Sequence, residues 1–392
     1  MTIGLLDHPA SNLAPIHGTC KDEFAGVREV FADNLNTTRD IGASVAVFTD
    51  GECVVDLWGG YYDMTFAREW ERHTIVQMFS NTKTLTALSA LVLADRGVID
   101  LDAQVSKYWP EFAENGKSDI QVRQLLNYSS GVAGWTEHMT LPAIYDTEKS
   151  SALLARQAPW WKPGTAHGYH GFTMGHLVSE VIRRTTGKSL GQFLREEIAA
   201  PLGVEDDVHI GTAAKYDPVV CLMTPGRPQD NAIGGDSLYD RALFNPRVTV
   251  HDTWTVKWRR AEMGAMNGHA NARGVAAVNS VLANGGAFGK RLMSDAGRLR
   301  VLEQQVRGTD LVFGFPINWG LGYSLDGAFL SGETGSRQAW WGGAGGSIAF
   351  VDLDARMSFS YVPNKWITGG YEQERGRRLL QAVYSAMKVA AR

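Results

Sequence analysis

The chain has 392 residues, of which 44% are hydrophobic and 20% are charged, and its formal net charge is -4. This composition is that of an ordinary globular protein. The length exceeds one typical core, so we expect two domains or one domain with a large insertion. The 38 basic and 42 acidic residues are mixed without a basic run. The charge pattern therefore argues against nucleic acid and an anionic membrane surface as partners.

Cysteine usage predicts a reducing compartment. Cys20, Cys53 and Cys221 are few, odd in number and without C-x-x-C spacing, so we expect free thiols and neither a disulfide framework nor a zinc site. The first residues lack the basic start and apolar run of a signal peptide, and no stretch is apolar over the length of a membrane span. We therefore expect a cytoplasmic protein without a membrane segment, metal or cofactor. The sequence leaves a homo-oligomer open.

Taken in chain order, hydrophobic periodicity predicts strands near both ends and helices in the middle. The first elements are a helix over 24–34 and two strands joined at Asp50-Gly51, a dipeptide typical of tight hairpins. The later predicted helices cover 82–96, 150–157, 171–186, 190–199, 272–282 and 371–390; the later strands cover 320–325, 338–341, 347–352 and 357–362; and long surface loops are expected over 212–265.

This order of elements predicts an α+β fold, in which an antiparallel sheet is flanked by helices and accompanied by a mostly helical second domain. Residues 1–105 and 266–392 would form the sheet domain, and residues 106–265 the mostly helical domain with long loops. The two predicted domains would flank one cleft.

The segment Ser80-Asn81-Thr82-Lys83 opens the most apolar predicted helix, which we expect to be buried and central. Ser80 would lie at or before its first turn, with Lys83 three positions further on the same face. A serine becomes a nucleophile when a base takes its proton, and burial lowers the pKa of a lysine so that it can be that base. The helix start also directs N–H groups toward a developing oxyanion. The alternative is that Ser80 is an N-cap and Lys83 a solvated residue.

Two further stretches would complete an acyl-transfer site. Tyr169 lies in a turn-rich loop after Pro163-Gly164, where a phenol would share a proton with Lys83, and a phenolate held by a cation would be a general base. A packed tyrosine is the alternative. The glycine-rich run 341–347 would let the backbone approach a ligand and supply an oxyanion N–H, or it is simply a glycine-permitted bend.

Other catalytic patterns are absent from the sequence. There is no G-x-S-x-G nucleophile elbow, no H-E-x-x-H zinc motif and no phosphate-binding glycine loop. His170, which follows Tyr169, is a candidate general base, but a role in the pocket wall or the core is favoured.

Three ordered motifs carry a resemblance to a known family. Ser80-Asn81-Thr82-Lys83, the Tyr169 loop and Trp341-Gly342-Gly343 resemble, in that order, the S-x-x-K, Y-x-N and K-T-G elements of the serine β-lactamase and penicillin-binding protein superfamily. The chain is most similar to its class C-like branch, which includes family VIII carboxylesterases, D-aminopeptidases and acyltransferases. The resemblance runs from about residue 20 to 390 and includes the stretches 124–131 and 267–273. It implies the β-lactamase/transpeptidase-like fold.

The resemblance also implies a role for each matching residue. Ser80 would be the acylated nucleophile, Lys83 the base that activates it, and Tyr169 the proton-sharing partner that serves the leaving group. The backbone N–H groups of Ser80 and Ala344 would form the oxyanion hole. Water would then cleave the acyl-enzyme.

Two departures from the motifs bear on the substrate. Gly171 replaces the asparagine that would orient an acylamino side chain, and Trp341 replaces the lysine that would attract the carboxylate of a β-lactam. The sequence therefore predicts a serine carboxylesterase whose partner is a small carboxylic ester. The predicted substrate-binding residues are Trp341, Gly342, Gly343, Trp135, His170 and Tyr323.

Several other activities use the same acyl-enzyme chemistry and stay open as alternatives. They are those of an amidase, a D-aminopeptidase, a β-lactam hydrolase and an acyltransferase. A catalytically silent binding protein of the same fold is the non-enzyme alternative.

Overall fold

The computed structural model describes residues 13–37, 40–225, 235–367 and 373–390. Within these residues the helices are α1 (Ala25–Asn36), α2 (Thr82–Asp95), α3 (Val122–Leu126), α4 (Leu141–Tyr145), α5 (Thr147–Arg156), α6 (Thr173–Thr186), α7 (Leu190–Phe193), α8 (Leu238–Leu243), α9 (Val256–Arg260), α10 (Ala272–Asn284), α11 (Asp295–Leu299), α12 (Ala328–Ser331) and α13 (Glu374–Ala390). The strands are β1 (Ile16–Cys20), β2 (Gly42–Thr49), β3 (Glu52–Gly60), β4 (Ile75–Gln77), β5 (Val208–Ile210), β6 (Val220–Cys221), β7 (Gly268–Ala270), β8 (Gly286–Ala287), β9 (Lys290–Arg291), β10 (Val306–Thr309), β11 (Pro316–Trp319), β12 (Gln338–Gly342), β13 (Ile348–Asp352) and β14 (Met357–Pro363).

The main sheet has six antiparallel strands in the order β1-β3-β2-β14-β13-β12. Side chains along β2 alternate between its faces. Val45 and Val47 join a hydrophobic cluster with α1 and α13, whereas Ala46 and Phe48 join the cluster that contains α2 and α10. Helices therefore cover both faces of the sheet, which explains why its strands read as nearly continuous apolar runs in the sequence.

The sheet joins the two ends of the described chain. β2 and β3 meet at Asp50-Gly51, where both residues have positive φ angles of 52° and 80°, as the hairpin prediction requires. β14 then pairs with β2, so that Tyr361 lies opposite Val45. The predicted α+β class with an antiparallel sheet is confirmed.

Helix α2 lies at the centre of the molecule and is buried along nearly its whole length. Its threonines bond to a segment that is distant in sequence. The Thr86 hydroxyl donates to the Gly264 carbonyl (2.5 Å), and the Gly268 N–H donates to the Thr82 hydroxyl (2.8 Å). These bonds satisfy the polar groups of an otherwise apolar helix, and they place Ala265 beside its first turns.

A smaller sheet with the order β5-β7-β4-β6 combines β4, which precedes α2, with strands from later in the chain. Helices α3 to α9 and short turns make up much of the chain from 122 to 260. One hydrophobic cluster runs continuously from the main sheet through α2 into this region. The division into 1–105 with 266–392 and 106–265 therefore stays a prediction.

The strand predicted at 320–325 is wrong. This segment is a turn that follows β11, because Gly322 has a φ of 82° and a Cβ there would lie 2.3 Å from the Cβ of Ala87 in α2. Glycine permits both the left-handed backbone and the close approach to the helix. The β-rich composition of this segment reflects its burial.

The long surface loops predicted over 212–265 are only part of what this region contains. β6, α8 and α9 lie within it, and the Trp258 side chain is fully buried. Such short elements carry too little periodicity to be recognised in a sequence. Residues 226–234 of this region lie outside the described residues. The last predicted helix, 371–390, corresponds to α13, and its first two residues, 371 and 372, also lie outside the described residues.

The described residues include no helix long and apolar enough to cross a bilayer. In the same part of the chain, no group of three or more His, Cys, Asp or Glu side chains is arranged to hold a metal ion.

Cys20, Cys53 and Cys221 are free thiols. Burial raises the pKa of Cys53 to about 12, so this thiol is unreactive at neutral pH.

Candidate active site

Ser80 lies in a single 3-10 turn, Phe79–Asn81, between β4 and α2. The preceding residue, Phe79, has a φ of 49°, a left-handed conformation that is uncommon for a bulky residue. It is held there because its carbonyl accepts a hydrogen bond from the Thr82 hydroxyl (2.5 Å) and its ring packs edge-on against Trp366. Backbone strain that the surroundings enforce is typical of functional sites, and here it immediately precedes the predicted nucleophile.

The Lys83 side chain is completely buried and reaches the Ser80 hydroxyl. Its Nζ lies 3.3 Å from Ser80 Oγ, 2.8 Å from the carbonyl oxygen of Gly171 and 2.9 Å from that of Ala265. Burial holds the pKa of Lys83 well below its usual value of 10.5. Within the described chain no carboxylate forms an ion pair with this lysine, so no opposite charge offsets the cost of desolvating its own charge.

These three contacts account for every position on a neutral amine. The two carbonyl oxygens accept its two N–H groups, and its lone pair is left to accept the proton of the Ser80 hydroxyl. An ammonium group would have no lone pair with which to accept that proton. The geometry therefore agrees with the predicted role of Lys83 as a base.

Tyr169 lies on the other side of the serine. Its hydroxyl oxygen accepts a hydrogen bond from Nε1 of Trp341 (3.1 Å), and Lys83 Nζ lies 4.6 Å from the centre of its ring. Burial raises the pKa of Tyr169 above its usual value, although hydrogen bonds with Ser80 and Trp341 act in the opposite direction. Tyr169 is therefore a neutral phenol at neutral pH.

The role of Tyr169 as a phenolate base stays a prediction. It requires a charged cation beside Tyr169, whereas burial lowers the pKa of Lys83 and raises that of Tyr169, which favours the uncharged form of both groups. A neutral phenol can still act as a proton donor, since its own hydrogen is not used in the bond from Trp341. Its O–H is left to serve an atom at Ser80.

The glycine-rich run begins where β12 ends at Gly342. A Cβ on Gly343 would lie 1.9 Å from the carbonyl oxygen of Met78, so only glycine lets this strand approach the turn that carries Ser80. Ala344 follows in an exposed turn, and among the described residues its N–H donates to no backbone carbonyl. An oxyanion hole formed by the N–H groups of Ser80 and Ala344 stays a prediction.

Two predicted pocket residues, Tyr323 and Trp135, take part in packing around the site. The Tyr323 hydroxyl donates to the Thr84 carbonyl (2.8 Å) and lies 2.9 Å from Oδ1 of Asn279, between α2 and α10. Nε1 of Trp135 donates to the Ser150 carbonyl (2.9 Å). The rings of Tyr323 and Trp135 are both buried, and neither of these hydrogen bonds involves Ser80. The pocket roles of the two residues stay predictions.

His170 is completely buried, with Nδ1 2.6 Å from the Gly168 carbonyl and Nε2 2.7 Å from the Ser130 hydroxyl. The first contact requires Nδ1 to carry the hydrogen, so Nε2 accepts from Ser130. Burial lowers the pKa of His170 to about 4, and the hydrogen bond with the Gly168 carbonyl acts in the opposite direction. His170 therefore orders the Tyr169 loop, and a direct contact with substrate stays a prediction.

Sequence analysis did not indicate two other contributors. Ala265 acts through its carbonyl, which any residue type would supply, so no side-chain pattern marks it. Asp310 is buried, and its carboxylate accepts the N–H of Tyr169 (3.0 Å). The only signal for it is the presence of an aspartate and a glycine in one short segment, since both residue types are common in turns.

A family model described as Beta-lactamase matches residues 27–384 of the chain. The chain belongs to the beta-lactamase family. It is 31% identical to Esterase/beta-lactamase LipL of Mycobacterium tuberculosis over 374 residues, which cover 90% of this chain and 84% of that protein. Esterase EstB of Burkholderia gladioli is 27% identical over 45% of this chain and 49% of its own length.

Solved structures of this beta-lactamase family extend the comparison to the fold. A family VIII carboxylesterase superposes with a TM-score of 0.90 and 40% identity, covering 95% of this chain and all of that one. A penicillin-binding protein homologue from Caulobacter crescentus has a TM-score of 0.85 and 36% identity over 95% of this chain and all of its own. The predicted superfamily and its β-lactamase/transpeptidase-like fold are confirmed.

The contacts of Lys83 predict how acylation depends on pH. Only the neutral amine accepts the serine proton, so the rate of Ser80 labelling by a fluorophosphonate should rise with pH through the pKa of Lys83, well below 10.5, and then stay constant. Lys83→Ala should remove labelling while the protein stays folded.

Lys117 offers a matched control, because it too is buried against backbone carbonyls and its pKa is lowered to about 8. Lys117→Ala should keep the labelling rate. Substantial labelling of Lys83→Ala with a midpoint near pH 4 would instead identify His170 as the base.

Proposed function

We propose that this protein is a serine carboxylesterase that cleaves small carboxylic esters through an acyl-enzyme on Ser80. The observation that carries this proposal is the fully buried Lys83 amine, whose Nζ lies 3.3 Å from the Ser80 hydroxyl and within hydrogen-bond distance of two backbone carbonyls. The names of the relatives agree with it, since they include a family VIII carboxylesterase and two esterases.

Acylation begins when Ser80 Oγ attacks the ester carbonyl carbon and the Lys83 amine takes the serine proton. The carbonyl oxygen becomes negatively charged and is met by the predicted N–H groups of Ser80 and Ala344. As the intermediate collapses, the bond to the alcohol oxygen breaks and Tyr169 gives its proton to that oxygen. The proton held by Lys83 restores the phenol, so the products of this half are the acyl-serine and the free alcohol.

Deacylation repeats the same steps with water. The oxygen of a water molecule attacks the acyl carbon, and neutral Lys83 takes a proton from that water, either directly or through Tyr169. The bond to Ser80 Oγ then breaks and the serine regains a proton from the lysine. The carboxylic acid leaves, and every side chain returns to its starting protonation state.

The residue at position 341 favours esters over β-lactams. The indole of Trp341 donates to Tyr169 and is only partly buried, so it presents an apolar wall in place of a cation. A β-lactam carboxylate would find no charge partner there. β-Lactam hydrolysis is the second candidate, because the relative LipL is named both an esterase and a beta-lactamase. A cytoplasmic location belongs to the same proposal and rests on the free thiols.

A substrate panel tests the proposed activity. We expect native protein to cleave p-nitrophenyl acetate and butyrate, to leave a chromogenic cephalosporin nearly untouched, and to lose ester cleavage in Ser80→Ala. Rapid turnover of the cephalosporin with inert esters would keep the acyl-enzyme chemistry but overturn the substrate class. Ester cleavage that survives in Ser80→Ala would place the chemistry elsewhere.

A second experiment tests Tyr169 as the proton donor to the alcohol. Ethoxide needs a proton to leave, whereas p-nitrophenolate leaves readily without one. Tyr169→Phe should therefore lower kcat/KM for ethyl acetate roughly 10²-fold and have a much smaller effect on p-nitrophenyl acetate.

The matched control is Tyr384→Phe, which removes a buried hydroxyl bonded to Asp352 in the cluster on the opposite face of the sheet. It should leave the ratio of the two substrates unchanged. Equal losses on both esters in Tyr169→Phe would contradict a role in protonating the alcohol.

A further inference from the structure

The loop from Asp310 to Phe315 is fixed by its own hydrogen bonds. The Asp310 N–H donates to the Phe315 carbonyl (3.1 Å), and the Gly314 N–H donates to the Asp310 carbonyl (2.8 Å). Inside this closed loop, Oδ1 of Asp310 accepts the N–H groups of Val312 (2.9 Å) and Phe313 (3.0 Å). Gly314 turns the chain with a φ of 78°. The backbone conformation therefore does not depend on burying all the side chains of the loop.

This fixed loop presents apolar side chains to solvent. Phe315 is 54% exposed and Leu311 is 40% exposed, while Phe313 is partly buried. Large apolar side chains that a rigid loop exposes together indicate a binding surface. Because the backbone of the loop is already ordered, the loop loses little conformational entropy when a ligand binds to these rings.

The same loop is continuous with the proposed catalytic site. The Phe313 ring stacks on the Tyr169 ring with centres 4.7 Å apart and an angle of 27°, and the Phe315 ring stacks on Phe313 at 5.4 Å and 17°. Asp310 joins the two segments, since Oδ1 also accepts the N–H of Tyr169 (3.0 Å) and Nε1 of Trp319 donates to Oδ2 (3.3 Å). A row of rings therefore leads from the proton donor to solvent.

We propose that Phe313 and Phe315 form the subsite for an aromatic alcohol group, so that aryl esters are the preferred substrates of this enzyme. The inference rests on the proposed function. Tyr169 gives its proton to the alcohol oxygen, so the alcohol lies on the Tyr169 side of the scissile bond while the acyl group stays on Ser80. An aromatic alcohol group offers a ring that these phenylalanines can contact, whereas an ethyl group has no ring and little apolar area. Asp310 is the positioning residue that holds the row against Tyr169.

The test compares two acetate esters, 2-naphthyl acetate and ethyl acetate, with native protein and Phe315→Ala. Both substrates give the same acetyl-enzyme, and kcat/KM reports only the steps through acylation. Their different intrinsic reactivities cancel when the ratio of the two kcat/KM values is compared between proteins. We expect this ratio to fall about tenfold in Phe315→Ala, the size of one lost aromatic contact.

Two control variants separate this role from a general effect on the protein. Phe315→Tyr keeps a ring and should keep the native ratio. Phe288→Ala removes another exposed phenylalanine, which lies between β8 and β9 and packs on Phe48. It should also keep the ratio.

An acyl series identifies which part of the ester the loop contacts. The ratio of kcat/KM for p-nitrophenyl butyrate to that for the acetate should be the same in native protein and in Phe315→Ala. An unchanged ratio of the naphthyl to the ethyl ester in Phe315→Ala would overturn the inference. If the ratio of butyrate to acetate also changed, the loop would be assigned to the acyl group. If native protein cleaves no ester of either series, the proposed function fails and the inference fails with it. Cleavage of both series with no effect of Phe315→Ala overturns the inference only.

Discussion

The burial of the Lys83 side chain is the constraint on which the rest of the site depends. An ammonium group without a carboxylate partner is costly in a dry interior, so burial lowers the pKa of the amine and favours its neutral form. The carbonyls of Gly171 and Ala265 take its N–H groups, and the lone pair faces Ser80. A lysine in water at this position would stay protonated and would be no base. Desolvation and two fixed carbonyls together turn an ordinary side chain into one that can activate a serine.

That arrangement requires distant segments to be held against α2. The Thr82 hydroxyl accepts a hydrogen bond from Gly268 and the Thr86 hydroxyl donates one to Gly264. Together they fix the segment 264–268, and with it the Ala265 carbonyl. On the other side Gly343 lets β12 lie against the turn before the helix, which brings the Trp341 indole to Tyr169. The main sheet contributes the Trp341 side chain and the central helix contributes Lys83. The loop regions contribute the Tyr169 side chain and two backbone carbonyls.

The side chains of the site could be predicted from the sequence, whereas the backbone groups that contribute to it could not. The S-x-x-K spacing of Ser80 and Lys83, the Tyr169 loop and the strand before the glycines are local patterns, and the structure brings them together as expected. The Ala265 carbonyl left no pattern, because any residue would supply it. Tyr323 was assigned to the pocket for its aromatic character, yet its hydroxyl bonds to the backbone of α2. Such partners are set by tertiary packing, which composition does not reveal.

The central claim is that Ser80 carries the acyl group during turnover. The most direct measurement is mass spectrometry of native protein quenched in acid while it turns over p-nitrophenyl acetate, followed by digestion and location of the added acetyl group. The account predicts one acetyl group on the peptide that contains Ser80, and none there in Lys83→Ala. Rapid ester turnover with an unmodified Ser80 peptide and the acetyl group on another side chain would contradict it.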